Sequence, residues 1–254
     1  MDSRKAMLIL GLLAMVLLIS SDVSARDLTS TNTKNEVVEE TNGVNDAKYG
    51  HYVGYIYDQF VLALQWPPAK CRERPCTKYA TTDFLIHGLW PSSTNGMSPT
   101  KCAQGKPYDS NVCSSQFLAN DLNDFWPNLL GDNDGFWRHE WDAHGTCAYE
   151  LFPDQAAYFH KAIILKLNNN ILSWLSVNNI MPDVTKDFSV RLIKSTIKTN
   201  FGAYPQLVCT TANGMPLQLL EVRLCFNEEG TMPKNCPPRD KGCGAWGNKI
   251  KWYT

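Results

Sequence analysis

The sequence predicts an α+β fold, with a mainly antiparallel central sheet, several helices packed around it and disulfide bonds. Two features of the chain predict this class. Helical patterns of apolar residues cluster in the middle of the chain, and strand patterns lie on both sides of them. Segregation of this kind is typical of α+β proteins, whereas strands that alternate with helices favour a parallel sheet.

Segments rich in apolar and β-branched residues predict four strands: 58–68, 83–91, 206–211 and 215–226. The first alternates between apolar and polar residues and ends at two prolines. The second, DFLIHGLWP, is interrupted by Gly88 and Pro91, so we expect His87 to lie at the end of a strand.

Apolar residues at helical spacing predict five helices: 114–130, 135–145, 154–169, 171–177 and 188–201. The first begins with serines of the type that cap helices. The second is short and lies between Gly135 and Gly145. Lys194 and Lys198, in the last of these segments, are interpreted as an ordinary solvated helix face.

The first 48 residues are predicted to lie outside the fold. Residues 1–25 have the form of a signal peptide: a positively charged start, an apolar run over 6–19 and a small-residue cleavage pattern. That run is too short to span a membrane comfortably, and no later stretch is longer. Residues 26–48 are polar, lack aromatic residues and predict a disordered leader or propeptide. We expect one soluble domain over 49–254.

Composition sets further limits on the domain. Its eight tryptophans favour a well-formed core. Nine cysteines after a signal peptide predict disulfides, and the odd number leaves one cysteine free or paired with another chain. The formal net charge is −1, so a polyanionic partner is expected to be held locally and not by a long basic stripe.

The stretch FWRHEWDAHGTC (136–147) combines two histidines and a glutamate. His139 and His144 lie five positions apart, about 140° around a helix, so they can hardly share a metal unless the helix ends between them. Glu140 and His144 are four apart and would share a face, which favours acid–base chemistry. We therefore expect no metal and no cofactor.

IHGLWP (86–91) and FWRHEWDAHGTC (136–147), about fifty residues apart, resemble the two active-site segments of the ribonuclease T2 family. The similarity extends to LQWPPAKC (64–71), FWPNLL (125–130) and the cysteines, and is greatest to plant S-like members. It implies a metal-independent endoribonuclease that cleaves single-stranded RNA by transphosphorylation to 2′,3′-cyclic phosphates. It also implies a monomer, with no membrane and no obligate protein partner, that is secreted or vacuolar.

The resemblance implies a role for each residue of the site. His144 would be the base for the 2′-hydroxyl, His87 the acid for the leaving oxygen, and His139 would hold the phosphate. Glu140 would orient the base and support the transition state. A nucleobase pocket with a pyrimidine preference is implied for Gln65, Asn128, Leu130 and Phe136. From its residue type alone, Gln65 could equally have a structural role in a strand.

The resemblance also implies the pairing of the cysteines: Cys71–Cys76, Cys102–Cys147, Cys209–Cys243 and Cys225–Cys236. Cys113 is left unpaired in this scheme. The Cys102–Cys147 bridge would tie the end of the histidine helix to the loop after the His87 strand. Trp90, Trp137 and Trp141 are expected in the core, while His51 and His160 are assigned to the surface or the core.

One position departs from the family pattern, because Ala143 stands where a lysine is expected. Loss of a charge donor to the transition state costs about 3 kcal/mol in analogous sites. Arg138 or another basic residue could replace it. The alternative function is a catalytically weakened relative that serves in storage, defence or lectin-like binding. All three histidines are retained, which favours the enzyme. The absence of an Asn-x-Ser/Thr sequon and of excess positive charge disfavours a self-incompatibility ribonuclease.

Overall fold

The computed structural model describes residues 57–77, 81–95, 97–211, 214–238, 240–244 and 248–254. The predicted signal peptide and polar leader, together with His51, lie outside these residues. None of the helices in the described ranges is long and apolar enough to cross a membrane.

The sheet confirms the expected class. Its strands are β1 (Gln59–Gln65), β2 (Leu85–Ser92), β3 (Asp183–Ser189), β4 (Gln206–Thr210), β5 (Gln218–Asn227), β6 (Pro233–Lys234) and β7 (Lys249–Trp252). Their order is β2-β1-β5-β7-β3, and β4 and β6 also pair with β5. The pairs are antiparallel except β5 with β7, which meet in parallel at Gln218 and Lys251.

The helices are α1 (Pro67–Glu73), α2 (Ser110–Cys113), α3 (Ala119–Phe125), α4 (Asn133–Ala143), α5 (Gln155–Asn168), α6 (Ile171–Ser176) and α7 (Val190–Phe201), with a 3-10 turn at Gly145–Ala148. The single helix predicted over 114–130 is wrong, since α2 ends at Cys113, before this region, and only α3 lies within it. Helix α3 ends before Trp126, which precedes a proline and so disfavours helical backbone.

Prolines account for two further errors of the sequence-based prediction. Pro67 and Pro68 begin α1, because the first turn of a helix needs no hydrogen-bonded N–H from its residues. The second strand was expected to break at Pro91, but β2 continues through it to Ser92. β2 lies at the edge of the sheet, where proline removes no hydrogen bond between strands. His87 is therefore inside the strand and not at its end.

The core lies between the sheet and the helices that cover it. Tyr158 of α5 is fully buried, and its hydroxyl donates to the Leu89 carbonyl of β2 at 2.7 Å. Trp126 packs against Phe159 of the same helix, with ring centroids 5.1 Å apart. These contacts fix β2, the strand that carries His87, against α5.

Disulfides pair as the resemblance implies: Cys71–Cys76, Cys102–Cys147, Cys209–Cys243 and Cys225–Cys236. Cys113 is free and buried. The Cys102–Cys147 bridge joins the loop after β2 to the 3-10 turn after α4. Both segments that hold the histidines are thus linked covalently, which confirms the expected connection.

The two lysines of α7 have different environments, so the interpretation of a solvated face holds only for Lys198. Lys194 is buried and its Nζ lies 2.7 Å from Asp240 Oδ1, with both side chains 1% exposed. Lys198 is exposed, and its Nζ lies 4.4 Å from the Tyr204 ring centroid.

We expect Lys194→Ala to lower the free energy of unfolding by about 3–5 kcal/mol, because it leaves the Asp240 carboxylate buried without its partner. Lys198→Ala, one turn further along the same helix, should cost about 1 kcal/mol or less. Denaturant unfolding of both variants measures the difference. Equal effects would contradict the buried ion pair.

Candidate active site

A β-bulge sets the position of His87. Ile86 and Gly88 pair with consecutive residues of β1, which leaves His87 as the extra residue of β2. A bulge of this kind re-aims a side chain and increases the local twist. The indole Nε1 of Trp126 donates to the His87 carbonyl at 3.0 Å and holds the bulge in place.

Glu221 of β5 is the hydrogen-bond partner of His87, and the sequence analysis missed it. Its Oε2 lies 2.8 Å from His87 Nδ1, and its Oε1 accepts from Arg223 Nε at 2.5 Å. Burial favours the neutral ring, but the hydrogen bond and charge of Glu221 outweigh it and raise the pKa of His87. The pKa of Glu221 is lowered in spite of burial, because the same contacts favour its charged form. The available signal was a glutamate and an arginine within an apolar strand.

Helix α4 differs from its predicted bounds at both ends. Asp132 caps it by accepting from the Gly135 N–H at 2.6 Å, so the helix begins two residues before Gly135. It ends at Ala143, because His144 has the non-helical angles φ −127° and ψ −51°. His144 still donates its backbone N–H to the Glu140 carbonyl at 3.1 Å before the chain enters the 3-10 turn.

Because α4 ends at Ala143, the possible metal-ligating atoms of the histidine motif lie close together. Ligating atoms of His139, Glu140 and His144 all lie within 4.8 Å of one another. The exception that the spacing argument allowed is therefore met, since α4 ends between His139 and His144. Two imidazoles and a carboxylate are a donor set that zinc accepts. The absence of a metal remains a prediction, which chelation tests.

Burial displaces the pKa values of two groups in this cluster. Burial, followed by the charges of His139 and His87, lowers the pKa of His144 to about 4. Burial raises the pKa of Glu140 to about 7. Glu140 Oε2 accepts a hydrogen bond from Trp90 Nε1 at 3.0 Å, so this carboxylate is held by the indole and not by the imidazole of His144.

Trp90 contacts both catalytic candidates, His87 and His144, which corrects its assignment to the core. It is half-buried, and its ring centroid lies 5.2 Å from His87 and 5.6 Å from His144. The Arg223 guanidinium lies 5.0 Å over it. The other two tryptophans assigned to the core, Trp137 and Trp141, are buried as expected.

Gly88 makes this arrangement possible. A Cβ at that position would overlap the Trp90 indole and the Glu140 carboxylate. Gly145 has a similar role, since a Cβ there would overlap the Trp141 ring. The glycines of both histidine motifs thus allow close packing of the site.

The four residues of the implied base pocket fall into two groups. Phe136 stacks beside His87 with centroids 6.4 Å apart, and Gln65 Nε2 lies 3.5 Å from the Ile86 carbonyl. Gln65 is buried at the end of β1, which supports its structural role. Asn128 and Leu130 lie in the loop before α4, where the Asn128 Oδ1 accepts from the Leu130 N–H at 2.9 Å.

Ala143 supplies no charge where the family pattern has a lysine, and Arg138 is engaged with other groups. Ala143 is buried, and its carbonyl accepts from the Lys101 N–H at 2.9 Å. Arg138, the substitute considered from the sequence, lies over the Tyr108 ring at 4.7 Å and 3.8 Å from Asp134. A cleft of about 530 Å³ beside His144 is lined on another side by Trp90, Arg223, Gln206 and Lys241.

Comparison with known proteins identifies relatives over most of the described chain. The Ribonuclease T2 family model matches residues 57–236. Ribonuclease 1 of Arabidopsis thaliana is 36% identical over 198 residues, which are 74% of this chain and 84% of the relative. Extracellular ribonuclease LE of Solanum lycopersicum is 35% identical over 198 residues, 74% of this chain and 85% of the relative. A Glycine rich protein family model matches residues 1–59, almost all outside the described ranges.

Solved structures show the same fold. Ribonuclease MC1 from the seeds of bitter gourd superposes with a TM-score of 0.69 at 35% identity, covering 77% of this chain and 100% of that chain. A mutant of that protein has been solved in complex with 5′-UMP.

Gly88→Ala should destabilise the fold by about 1–3 kcal/mol and displace the Trp90 indole, because the new methyl group overpacks the site. Gly131→Ala is the matched control, since a Cβ there would meet only Asn128 Nδ2 at 3.8 Å. It should change stability by about 0.5 kcal/mol or less. Denaturant unfolding followed by tryptophan fluorescence compares them, and a neutral Gly88→Ala would contradict the packing.

Proposed function

The chain belongs to the ribonuclease T2 family, and we propose that it cleaves RNA with His144 as the general base and His87 as the general acid. The protein is an endoribonuclease. One observation carries the assignment of roles: the two histidines both contact Trp90, and their pKa values are displaced in opposite directions. Such a pair supplies a neutral base and a protonated acid at the same acidic pH.

The proposed reaction is an internal displacement at phosphorus. Neutral His144 removes the proton of the ribose 2′-hydroxyl, whose oxygen then forms a bond to the adjacent phosphorus. The bond from phosphorus to the 5′-oxygen breaks, and protonated His87 gives that oxygen a proton. The products are a 2′,3′-cyclic phosphate and a free 5′-hydroxyl. Because Glu221 holds Nδ1 of His87, the proton is given from Nε2.

His139 and Glu140 would act on the phosphate between these two groups. His139 is exposed beside His144, with ring centroids 6.4 Å apart, and is proposed to hold a phosphoryl oxygen. Glu140, with its pKa of about 7, keeps its proton in acidic solution and can donate a hydrogen bond to the transition state. Because Glu140 accepts its hydrogen bond from Trp90 and not from His144, the role in the transition state is better supported than the role of orienting the base.

Base recognition is proposed at Gln65, Asn128, Leu130 and Phe136. The stacking of Phe136 beside His87 supports a nucleobase platform next to the acid. Mutants of ribonuclease MC1 have been solved in complex with 5′-UMP and with 5′-GMP, which supports nucleotide binding but favours neither base type, so the pyrimidine preference rests on the family resemblance alone. Asn128 would have to exchange its bonds within the loop to read a base edge, so it is the least supported of the four.

We propose that the protein acts as a monomer, with single-stranded RNA as its substrate, after entry into the secretory pathway. The predicted signal peptide and the disulfides support this route, as does the name of the extracellular relative in tomato. The destination is the vacuole or the cell exterior. The weakened-relative alternative depends on Ala143 alone, and the assembled acid–base pair weighs against it.

His87→Ala and His144→Ala should each lower the rate of RNA cleavage by about 10²–10⁴-fold, because each removes one proton transfer. His160→Ala, on the exposed face of α5, is the control and should keep the wild-type rate. All assays are run in excess EDTA, in which the wild type should remain fully active. Activity that is lost in EDTA and restored by zinc would assign the chemistry to a metal at His139, Glu140 and His144.

The pH dependence of kcat/KM should be bell-shaped. The rate rises as His144 loses its proton near pH 4 and falls as His87 loses its own above the ordinary histidine value. Glu221→Gln removes the charge that raises the pKa of His87, so its falling limb should move to lower pH. Glu228→Gln, an exposed control in the turn after β5, should leave the profile unchanged. An unmoved limb in Glu221→Gln would refute the role of that carboxylate.

A further inference from the structure

We propose that Lys241, together with Arg223, binds a phosphate group of the RNA strand in the cleft beside His144. This pair would supply the positive charge that α4 lacks at Ala143. The inference rests on the proposed function for the identity of the ligand, but the anion site itself can be tested without turnover.

The cleft brings the pair next to the proposed base. Lys241, Arg223 and His144 all line the same space of about 530 Å³. The Arg223 guanidinium lies 5.0 Å over the Trp90 ring, and the same ring contacts His144. A phosphate in this cleft would therefore lie next to His144.

Three other cations near the site have carboxylate partners. Lys70 lies 3.1 Å from Glu73, and Arg138 lies 3.8 Å from Asp134. Arg223 itself is bonded to Glu221. Within the described ranges, Lys241 has no carboxylate at ion-pair distance, although its side chain lines the cleft.

The backbone of Lys241 is rigidly held, so little order has to be gained on binding. Its N–H donates to the Leu207 carbonyl at 2.9 Å, and its carbonyl accepts from the Cys209 N–H at 2.8 Å. The preceding residue, Asp240, forms the buried pair with Lys194. Two positions later, Cys243 is bridged to Cys209. Only the side chain of Lys241 remains to be ordered.

Electrostatics favour an anion between the two cations. The nearby charge of Arg223 lowers the pKa of Lys241, as expected of two positive groups that face one cleft. Glu221 opposes this effect only in part, because it already accepts bonds from His87 and Arg223. A bound phosphate would relieve the repulsion between Lys241 and Arg223. The lysine ammonium would bind it as a point charge.

The RNA test compares Lys241→Gln with Lys241→Arg, which keeps the charge. Lys101→Gln is the matched control, since Lys101 is exposed and its backbone contacts the Ala143 carbonyl. Lys241→Gln should lower kcat/KM by about tenfold and make the slope of log kcat/KM against log salt shallower by about 0.7, the loss of one contact to single-stranded RNA. The other two variants should keep the wild-type slope. A shallower slope in Lys101→Gln alone would overturn the assignment.

The second test measures binding of inorganic phosphate by calorimetry, which requires no catalysis. Lys241→Gln should weaken phosphate binding by about fivefold or more, and Lys101→Gln should not. Unchanged binding in Lys241→Gln refutes the anion site. Weakened phosphate binding with an unchanged RNA salt slope refutes the assignment to the RNA backbone. If the wild type binds phosphate through Lys241 but cuts no RNA, the proposed function fails while the anion site stands.

Discussion

The hydrogen bond between His87 and Glu221 is the interaction on which the site depends. β1 lies between the strands that carry these residues, so His87 must reach across one strand to its partner. Strands are spaced about 4.8 Å apart, and a side chain in regular alternation would be poorly aimed for this contact. The bulge at His87 redirects the ring, and Trp126 fixes the bulge by its bond to the His87 carbonyl. The pairing of the strands and the packing of Trp126 therefore both fix the position of the His87 imidazole.

Burial and charge then give similar side chains different chemistry. His87 and His144 are both partly buried, but only His87 has a carboxylate on its ring nitrogen, so its pKa rises while that of His144 falls to about 4. Glu140 lies deeper and holds its proton to about pH 7, whereas Glu221 stays charged because two donors bind it. The surroundings of each side chain, and not its residue type, therefore determine which group can act as the acid and which as the base.

Local pattern was enough to predict much of the molecule. The strand at Gln59–Gln65 and the helix at Gln155–Asn168 follow from periodicity, and the three histidines follow from their motifs. Non-local structure was not predictable in this way. Glu221 is 134 positions from His87 in the chain, so only the paired sheet brings them together. The end of α4 before His144 depends on packing around Gly145, which a count of residues per turn ignores.

The proposed mechanism requires that the pKa of His87 lies above the ordinary histidine value and that the pKa of His144 lies below it. NMR titration of the ring protons in the wild-type protein tests it most directly, with signals assigned from His87→Ala and His144→Ala. We expect His144 to lose its proton near pH 4 and His87 to do so above the usual histidine value. Two rings that titrate together near that usual value, or a His144 that titrates above His87, would refute the opposite displacement of the two pKa values.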